Sequence, residues 1–410
     1  MREQWTTGTL SDFADANPRE PPLAPDAPFV PMEAIEPGTR WTVATKLREN
    51  RGGARFRGGD VLFARITPCL ENGKVAQWPF HGDRAGGSTE FIVLRARPAL
   101  DPSFLYYWAT SSRVRDAATA LMVGSTGRQR LAPGDLAAIP VTMPPIDEQR
   151  RIADLLTAIG QAEGASRLLE VEAQRLLRAL LHTAIGDEDW DARTLGQVAD
   201  IRSGITKGRK AKGALVPRPY LRAANVQDGR LDLDDVQTID VTEEEARRYL
   251  LRSGDLLLVE GSGSRARLGT GWVWEGQVEG CLHQNHVFRA RPDTDVVLPA
   301  FLAYWVTSSY ARGYFAGCTK TTSGLATINK SQVMALPIYV APLGEQRALV
   351  ARLDAVREAR DGASEQARAL GECRRAILSE LLSGEHAIPV SYDRFLAEAP
   401  SALQPELMRA

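Results

Sequence analysis

A long amphipathic pattern occurs twice in this chain, and the repeat constrains the fold more than any other feature of the sequence. The triplet Glu-Gln-Arg at 148–150 returns at 345–347, which is 197 positions later. Behind each copy, apolar residues recur at intervals of three and four, the spacing of one buried helix face. In 144–186 they are Ile152, Leu155, Leu156, Ile159, Leu169, Leu176, Leu177, Leu180 and Ile185, and in 342–384 they are Val350, Leu353, Val356, Leu370, Ile377, Leu378, Leu381 and Leu382. The pattern predicts two copies of one long helix.

Start and stop signals flank the two predicted helices. Prolines precede each copy, Asp147 can cap the first turn, and Gly186 stands where a helix normally ends. Because an isolated helix would expose its apolar stripe to water, we expect an antiparallel coiled coil of about 60 Å. Gly160, Gly164 and Gly362 interrupt the pattern; close approach of the two backbones and tolerated surface positions would each explain them.

The segments before each helix also repeat. Residues 59–62 match 254–257, and residues 94–98 match 288–292 at an offset of 194. Short β-rich runs bounded by glycine accompany the helical patterns FLYYWATSS and FLAYWVTSS. The predicted fold class is therefore α+β: two mixed α/β domains separated by a pair of long antiparallel helices, with a pseudo-twofold internal repeat. The expected boundaries are 1–142 and 187–340 for the domains, 143–186 and 341–384 for the helices, and 385–410 for a loosely ordered tail.

Composition narrows the class of protein. The chain has 410 residues, 44% of them hydrophobic and 25% charged, and no apolar run reaches the roughly 18 residues of a membrane span. We therefore expect no membrane partner. The four cysteines form no CxxC pair, so we expect a reduced, cytoplasmic protein. No GxxxxGK[ST] phosphate loop and no Asn-Pro-Pro-Tyr or Asp-Pro-Pro-Tyr methyltransferase motif is present. We therefore expect no catalytic residues on this chain.

The formal net charge of the chain is −1, so the chain as a whole has no electrostatic attraction to phosphate. Any DNA would have to be held by local clusters of basic residues, and these clusters are the candidate DNA-binding residues. Small residues around them would let the backbone approach phosphates, although a solvated loop has the same composition. Loops 124–130 and 321–327 match at an offset of 197 and precede the two helices. The arginine side chain is suited to hydrogen bonding with the edge of guanine, and the glutamine side chain to hydrogen bonding with the edge of adenine. The candidates are Arg48, Arg51, Arg55 and Arg57; Arg128, Gln129 and Arg130; Lys207, Arg209, Lys210 and Lys212; and Lys320 and Lys330.

A polar run in the second domain is a further candidate. His283, Gln284 and Asn285 carry the donors and acceptors that read base edges, and a strand whose polar positions face water would have the same sequence. Cys281, His283 and His286 could suggest a metal. A zinc site normally needs four ligands, and no second ligand pair is visible. We therefore expect no metal.

The two hinges carry a resemblance to a known family. Residues 143–152 read MPPIDEQRRI and residues 341–347 read APLGEQR, so a proline-containing turn followed by Glu-Gln-Arg opens each long helix after a β-rich domain. This layout resembles the specificity subunit of type I restriction-modification systems, over nearly the whole chain up to Gly384. The resemblance implies two target recognition domains, each reading one half of a split, asymmetric site in double-stranded DNA. The helix pair would then set the gap between the half-sites.

The resemblance also implies partners. Two methyltransferase (modification) subunits would dock around the helices and bind S-adenosylmethionine, and two motor-nuclease (restriction) subunits that use ATP and Mg²⁺ can join them in DNA methylation and phage defence. This chain would hold no cofactor. The repeated hinge residues are the candidates for partner binding: Glu148, Gln149, Arg150, Glu345, Gln346 and Arg347. An alternative interpretation is a non-catalytic scaffold of a related defence complex that binds proteins rather than specific DNA.

Overall fold

The structure is a computed structural model, and it describes residues 5–47, 52–79, 84–125, 127–184, 190–209, 213–262, 264, 267–318, 320–322 and 325–394. Its mixture of helices and strands confirms the α+β class. The chain divides into two compact units, Met1–Ser166 with Glu365–Ala410, and Arg167–Ser364. Each unit therefore contains one globular domain and part of both long helices.

The first unit begins with a small mixed domain. Its strands are β1 (Thr6–Thr9), β2 (Ala14–Ala16), β3 (Pro28–Val30), β4 (Lys46–Leu47), β5 (Ala54–Phe56), β6 (Val61–Ala64), β7 (Val75–Gln77), β8 (Ala85–Gly87), β9 (Phe91–Ala96), β10 (Val123–Ser125), β11 (Arg128–Arg130) and β12 (Pro140–Met143). Its helices are α1 (Leu10–Phe13), α2 (Pro102–Thr110), α3 (Ser112–Ala120) and α4 (Pro133–Ala137), followed by the long helix α5 (Ile146–Ala184). Sheets of order β2-β9-β6-β7 and β4-β3-β8-β5 form its framework.

The second domain has a comparable set of elements. Its strands are β13 (Asp191–Thr194), β14 (Ala199–Ser203), β15 (Val216–Leu221), β16 (Val226–Gln227), β17 (Arg230–Leu231), β18 (Gln237–Val241), β19 (Asp255–Val259), β20 (Gly261–Ser262), β21 (Gly271–Trp274), β22 (Leu282–His283), β23 (Val287–Pro292), β24 (Lys320–Thr322), β25 (Leu325–Thr327) and β26 (Pro337–Val340). Its helices are α6 (Leu195–Val198), α7 (Glu243–Tyr249), α8 (Pro299–Thr307), α9 (Ser309–Cys318) and α10 (Lys330–Met334), and the long helix α11 (Leu343–Ser383) follows. The main sheet has the order β14-β23-β19-β21.

The two main sheets repeat the same pairings, with one correction to the predicted offset. In the first domain Asp15 faces Arg95 across β2 and β9, and in the second Asp200 faces Arg291 across β14 and β23. Arg95 therefore corresponds to Arg291, an offset of 196, and the predicted match of 94–98 with 288–292 is wrong by two residues. A strand has a period of two, so a two-residue shift keeps every side chain on its face and escapes detection from the sequence.

Within each unit the two helix segments run antiparallel. In the first unit Ile152 and Leu156 share a core cluster with Leu378 and Leu381, and a salt bridge of 3.1 Å joins Glu163 to Arg374. As α5 advances from residue 152 to 163, its neighbours on α11 recede from 381 to 374, which defines the antiparallel direction.

The second unit repeats the arrangement with the other helix segments. Leu177 and Leu181 share a core cluster with Leu349 and Leu353, and Arg360 donates to Gln174 at 3.1 Å. Most of the apolar stripe of each segment is thus covered by its partner helix and by the domain it serves, as the hydrophobic effect favours. Leu169 and Leu176, which the sequence pattern places on the buried face, are instead 53% and 48% exposed.

Several details differ from the sequence expectations. A Cβ atom added at Gly164 or Gly362 would meet nothing within 4 Å, so close backbone approach is the wrong explanation for these two glycines. Asp147 lies inside the first turn of α5, not at a capping position, because the helix begins at Ile146. Gly186 lies outside the described residues.

Part of the tail packs on the first unit. Ile388 is 7% exposed in the core of that unit, and Asp393 forms a salt bridge of 3.6 Å with Arg151. The expectation of a loosely ordered tail is therefore wrong for residues 385–394, and residues 395–410 lie outside the described part. In the described ranges, none of the helices combines the length and apolarity needed to cross a bilayer.

Candidate nucleic-acid interface

A hairpin edge occurs once in each domain, with one backbone frame. In the first domain the amide of Leu131 donates to the carbonyl of Arg65 (2.8 Å), and the amide of Arg65 donates to the carbonyl of Glu90 (2.9 Å). The bridge between Ile66 and Arg130 connects the hairpin of β10 and β11 to the chain that follows β6. The hairpin therefore lies directly beside Arg65.

The second domain has the same hydrogen bonds. The amide of Ile328 donates to the carbonyl of Glu260 (3.0 Å), the amide of Glu260 donates to the carbonyl of His286 (3.0 Å), and Gly261 pairs with Thr327. Glu260 is thus the structural equivalent of Arg65, and His286 is the equivalent of Glu90. These positions differ in charge although the backbone around them is shared. We refer to the two sites as the Arg65 edge and the Glu260 edge.

At the Arg65 edge, Arg130 is bound within the protein. Its Nη2 donates to Glu90 at 2.7 Å and its Nε donates at 3.0 Å. This hydrogen bond, with the charges of Arg130, Arg65 and Arg128, lowers the pKa of Glu90. The Arg130 side chain, which is 41% exposed, thus holds Glu90 in position. Arg128 lies on the same strand and is exposed to solvent. Gln129 is partly buried, and its backbone amide and carbonyl contact Thr67.

At the Glu260 edge, a carboxylate takes the place of Arg65 and an imidazole takes the place of Glu90. His286 Nδ1 lies 3.6 Å from Glu260 Oε2, and burial raises the pKa of Glu260. Lys330 is exposed at the first residue of α10. The backbone of Lys320 belongs to β24, and its side chain lies outside the described part of the chain.

The first basic cluster borders an open cleft of about 500 Å³ in the first domain. Arg19, Arg55 and Arg65 line this cleft, and Arg55 donates to the carbonyl of Glu20 at 3.1 Å. Arg57 is exposed nearby in the sequence. The candidates Arg48 and Arg51 lie outside the described residues. The cleft thus brings three arginines together, and one of them, Arg65, directly follows β6 and lies beside the hairpin.

The second basic cluster is partly structural. Arg209 forms a bidentate ion pair with Glu245, with its Nη2 at 2.6 Å, and lowers the pKa of Glu245 to about 2. The Arg209 and Glu245 side chains are 20% and 23% exposed, so this arginine stabilises the start of α7 and is not a free phosphate contact. Lys207 is exposed. Lys210 and Lys212 lie outside the described residues.

The base-reading prediction for His283 is wrong. His283 is 1% exposed, and burial lowers its pKa to about 3, so the imidazole is neutral and inaccessible to DNA. Residue 283 ends the short strand β22, which pairs with β15 inside the domain. Gln284 and Asn285 are partly buried, and their backbone amides donate to the backbone carbonyls of Leu221 and Ile205 respectively. Among the described residues no cluster of three or more His, Cys, Asp or Glu could hold a metal ion.

The hinge glutamines are also mispredicted, because they cannot reach a partner. Gln149 is 1% exposed; its Oε1 accepts from the amide of Asp101 at 2.8 Å and its Nε2 donates to the carbonyls of Ala99 and Pro144. Each oxygen and nitrogen is thus used to fix the start of α5 on its own domain.

Gln346 makes the same three bonds, to Leu298, Val296 and Ala341, and is fully buried. Three of the other hinge candidates, Arg150, Glu345 and Arg347, are exposed, whereas Glu148 is partly buried. Glu345 accepts from the Trp190 indole at 3.2 Å. The repeated triplet is therefore in part a helix-docking device.

Sequence reasoning missed Arg65 and Glu260. The 195-residue offset that relates residues 59–62 to 254–257 also relates Arg65 to Glu260, so extending that match by three residues reaches both. The signal was weak because the two side chains have opposite charges.

Comparisons with known proteins agree on one family. Residues 2–173 match the family model for the type I restriction modification DNA specificity domain. The chain is 27% identical over 281 residues to the type I restriction enzyme EcoKI specificity subunit of Escherichia coli (strain K12), covering 64% of this chain and 60% of that protein. It is 25% identical over 281 residues to the type I restriction enzyme StySPI specificity subunit of Salmonella potsdam, with the same coverage. The chain thus spans about 60% of the length of these curated relatives.

A solved structure supports the fold. The S subunit of a type I restriction-modification system from M. genitalium is 16% identical to this chain, with a TM-score of 0.58 over 92% of this chain and 96% of that one. This likeness shows a shared fold. Over 64% of its length the chain is similar to type I restriction-modification specificity subunits, which confirms the resemblance that the two hinges carry.

Proposed function

We propose that this chain determines DNA sequence specificity in a type I restriction-modification complex. Each globular domain reads one half of a bipartite, asymmetric DNA site. The two long helices set the spacing of the half-sites and provide docking surfaces for two methyltransferase subunits. One observation carries the proposal: a single backbone frame occurs at two hairpin edges, with an arginine on one copy and a glutamate on the other. Two domains that share one backbone frame but carry different side chains at it can each recognise a different base sequence, as a bipartite, asymmetric site requires.

Side chains on α5 support partner docking. Between residues 167 and 184, where this helix belongs to the second unit, four large apolar side chains are exposed by 47–65%: Leu168, Leu169, Val171 and Leu176. Clustered exposed apolar residues mark interaction surfaces in proteins that work within a complex. The equivalent positions on α11, at an offset of 198, are Gln366, Ala367, Ala369 and Arg374, so the two helices offer different surfaces.

In this proposal the chain is not itself an enzyme. The methyltransferase subunits would bind S-adenosylmethionine, and motor-nuclease subunits, where they join, would use ATP and Mg²⁺. The role of this chain is to hold those subunits at a sequence that its own side chains select. Base edges in the major groove present distinct donor and acceptor patterns, which makes such selection possible.

The test is a map of methylated adenines across the host genome, with the gene for this chain present and deleted. We expect a split asymmetric motif that is methylated in the first case and lost in the second. A map that does not change on deletion would contradict the proposal and favour a protein-binding scaffold. Restoring the intact gene should restore the motif.

The spacing role has a separate test. One extra helical turn inserted after both Gly164 and Gly362, which are equivalent positions facing open space, lengthens each helix by about 6 Å, and the gap in the motif should widen by about one to two base pairs. An unchanged gap would show that the helices do not set the spacing.

A further inference from the structure

The Arg65 edge holds a guanidinium with unused hydrogen-bonding capacity. The Nε atom of Arg65 is buried and has no hydrogen-bond partner. Arginine carries five N–H donors, and a buried donor without a partner is costly unless something else supplies an acceptor. Arg65 also lines the open cleft beside the hairpin, where a ligand can enter.

The charge around Arg65 favours an acceptor-rich ligand. Arg65 and Arg128 both act electrostatically on Glu90, while Arg130 forms the direct hydrogen bonds to that carboxylate. Glu90 is therefore already satisfied by Arg130. This leaves two arginines at the edge, Arg65 at the end of β6 and the exposed Arg128 on β11, for a ligand that supplies acceptors.

The Glu260 edge offers the opposite chemistry at the equivalent backbone position. The Glu260 side chain is 27% exposed, and His286 at 3.6 Å is 48% exposed. An ionised carboxylate accepts hydrogen bonds but cannot donate them, so a ligand at this edge must be the donor. Phosphate groups carry no donors and would be repelled. Base edges with an exocyclic amino group, by contrast, do donate.

We propose that Arg65 and Glu260 are equivalent specificity-determining residues, one in each domain. Arg65 contacts the O6 and N7 acceptors of a guanine in one half-site, and Glu260 accepts from the N4 amino group of a cytosine in the other. This inference rests on the proposed function of the chain. It follows from the shared backbone frame, which presents both side chains from the same place, and from the rule that arginine reads guanine and glutamate reads cytosine.

The experiment uses the full chain co-expressed with its methyltransferase partner in a host that lacks its own adenine methylation, with methylated sites mapped for each variant. Arg65→Ala should lower the preference for guanine at one position of one half-site by about 10-fold to 100-fold and leave the other half-site unchanged. Glu260→Gln should change one position of the other half-site from cytosine towards adenine, because glutamine pairs with the adenine edge. Arg65→Lys should retain a weakened guanine preference, which a purely structural role would not produce.

Matched controls separate recognition from folding. Arg113→Ala and Arg247→Ala remove exposed arginines on α3 and α7 and should leave both half-sites unchanged. Thermal unfolding of every variant identifies any loss of fold; if Arg65→Ala unfolds, the lysine variant carries the test. Loss of selectivity at all positions, at no position or in the wrong half-site would overturn the inference. A wild-type chain that yields no motif at all would instead overturn the proposed function.

Discussion

The two domains of this chain differ most where their backbones agree best. At the Arg65 edge, three arginines surround Glu90, and at the Glu260 edge a carboxylate takes the place of Arg65 and an imidazole takes the place of Glu90. Both edges are held by the same amide-to-carbonyl hydrogen bonds between the hairpin, the chain after the central strand and the neighbouring strand. Main-chain hydrogen bonds do not depend on side-chain identity, so they let one frame carry two chemistries. The comparison separates a shared framework from the variable residues mounted on it.

The largest expected effect lies in the shared framework. Asp60 accepts from Arg95 at 2.6 Å and from the amide of Arg57, and Asp255 accepts from Arg291 and the amide of Arg252 in the same way. Both carboxylates are almost fully buried. Replacing either by alanine leaves a backbone amide without its acceptor and removes two hydrogen bonds from an arginine, although Arg95 keeps its ion pair with Glu20 at 2.7 Å. We expect a loss of about 3 kcal/mol in the free energy of unfolding.

Urea denaturation of Asp60→Ala and Asp255→Ala measures this loss. Asp116→Ala is the matched control, because that carboxylate is 77% exposed and lies 3.9 Å from Arg115; it should change the stability by less than about 0.5 kcal/mol. If one of the two buried aspartates could be removed without loss, the frame would not be shared as described.

A smaller effect is expected at the hinges. Gln149→Ala and Gln346→Ala each remove three hydrogen bonds that fix a long helix to its domain, and in each case one of the freed carbonyls, that of Pro144 or Ala341, belongs to a buried residue. We expect each change to lower the free energy of unfolding by about 2 kcal/mol. The measurement is again urea denaturation, with the exposed Arg150→Ala as control. Equal losses in the two domains would strengthen the comparison; a loss in one alone would break it.

The smallest effect belongs to an ion pair of the second domain alone. Arg209 lowers the folded-state pKa of Glu245 to about 2, so the stabilisation is fully present above the ordinary glutamate pKa and is lost as pH falls towards 2. Because both side chains are about one-fifth exposed, we expect Glu245→Gln to cost only about 1 kcal/mol at neutral pH.

Thermal unfolding from pH 7 to pH 2 follows this difference. The wild type and Glu245→Gln should converge as the pH approaches 2. A difference that persists unchanged at low pH would mean that the charge of Glu245 is not the cause.

The sequence predicted the framework better than the site. The repeated helix pattern and the 195-residue match around Asp60 and Asp255 were readable because both copies obey the same packing rules. The roles of Arg130 and Arg209 were not readable, because their carboxylate partners lie 40 and 36 positions away in the sequence. Burial of Gln149 likewise depends on backbone groups 48 and 50 positions earlier. Charge counts along a chain do not reveal which cations are already paired.

The central claim is that the two domains contact different halves of one DNA site. Gly134 on α4 and Ser331 on α10 are equivalent exposed positions, each just after a hairpin, and a DNA-cleaving reagent can be tethered to a cysteine placed at either. The exposed Cys373 and the partly buried Cys69 and Cys318 are first replaced by serine, so that the reagent attaches only at the introduced cysteine. In the complex bound to its site, Gly134→Cys and Ser331→Cys should then cut at two separate places, one in each half-site, while the parent chain with these serines gives only background cutting. Cuts at the same place from both variants would contradict the claim.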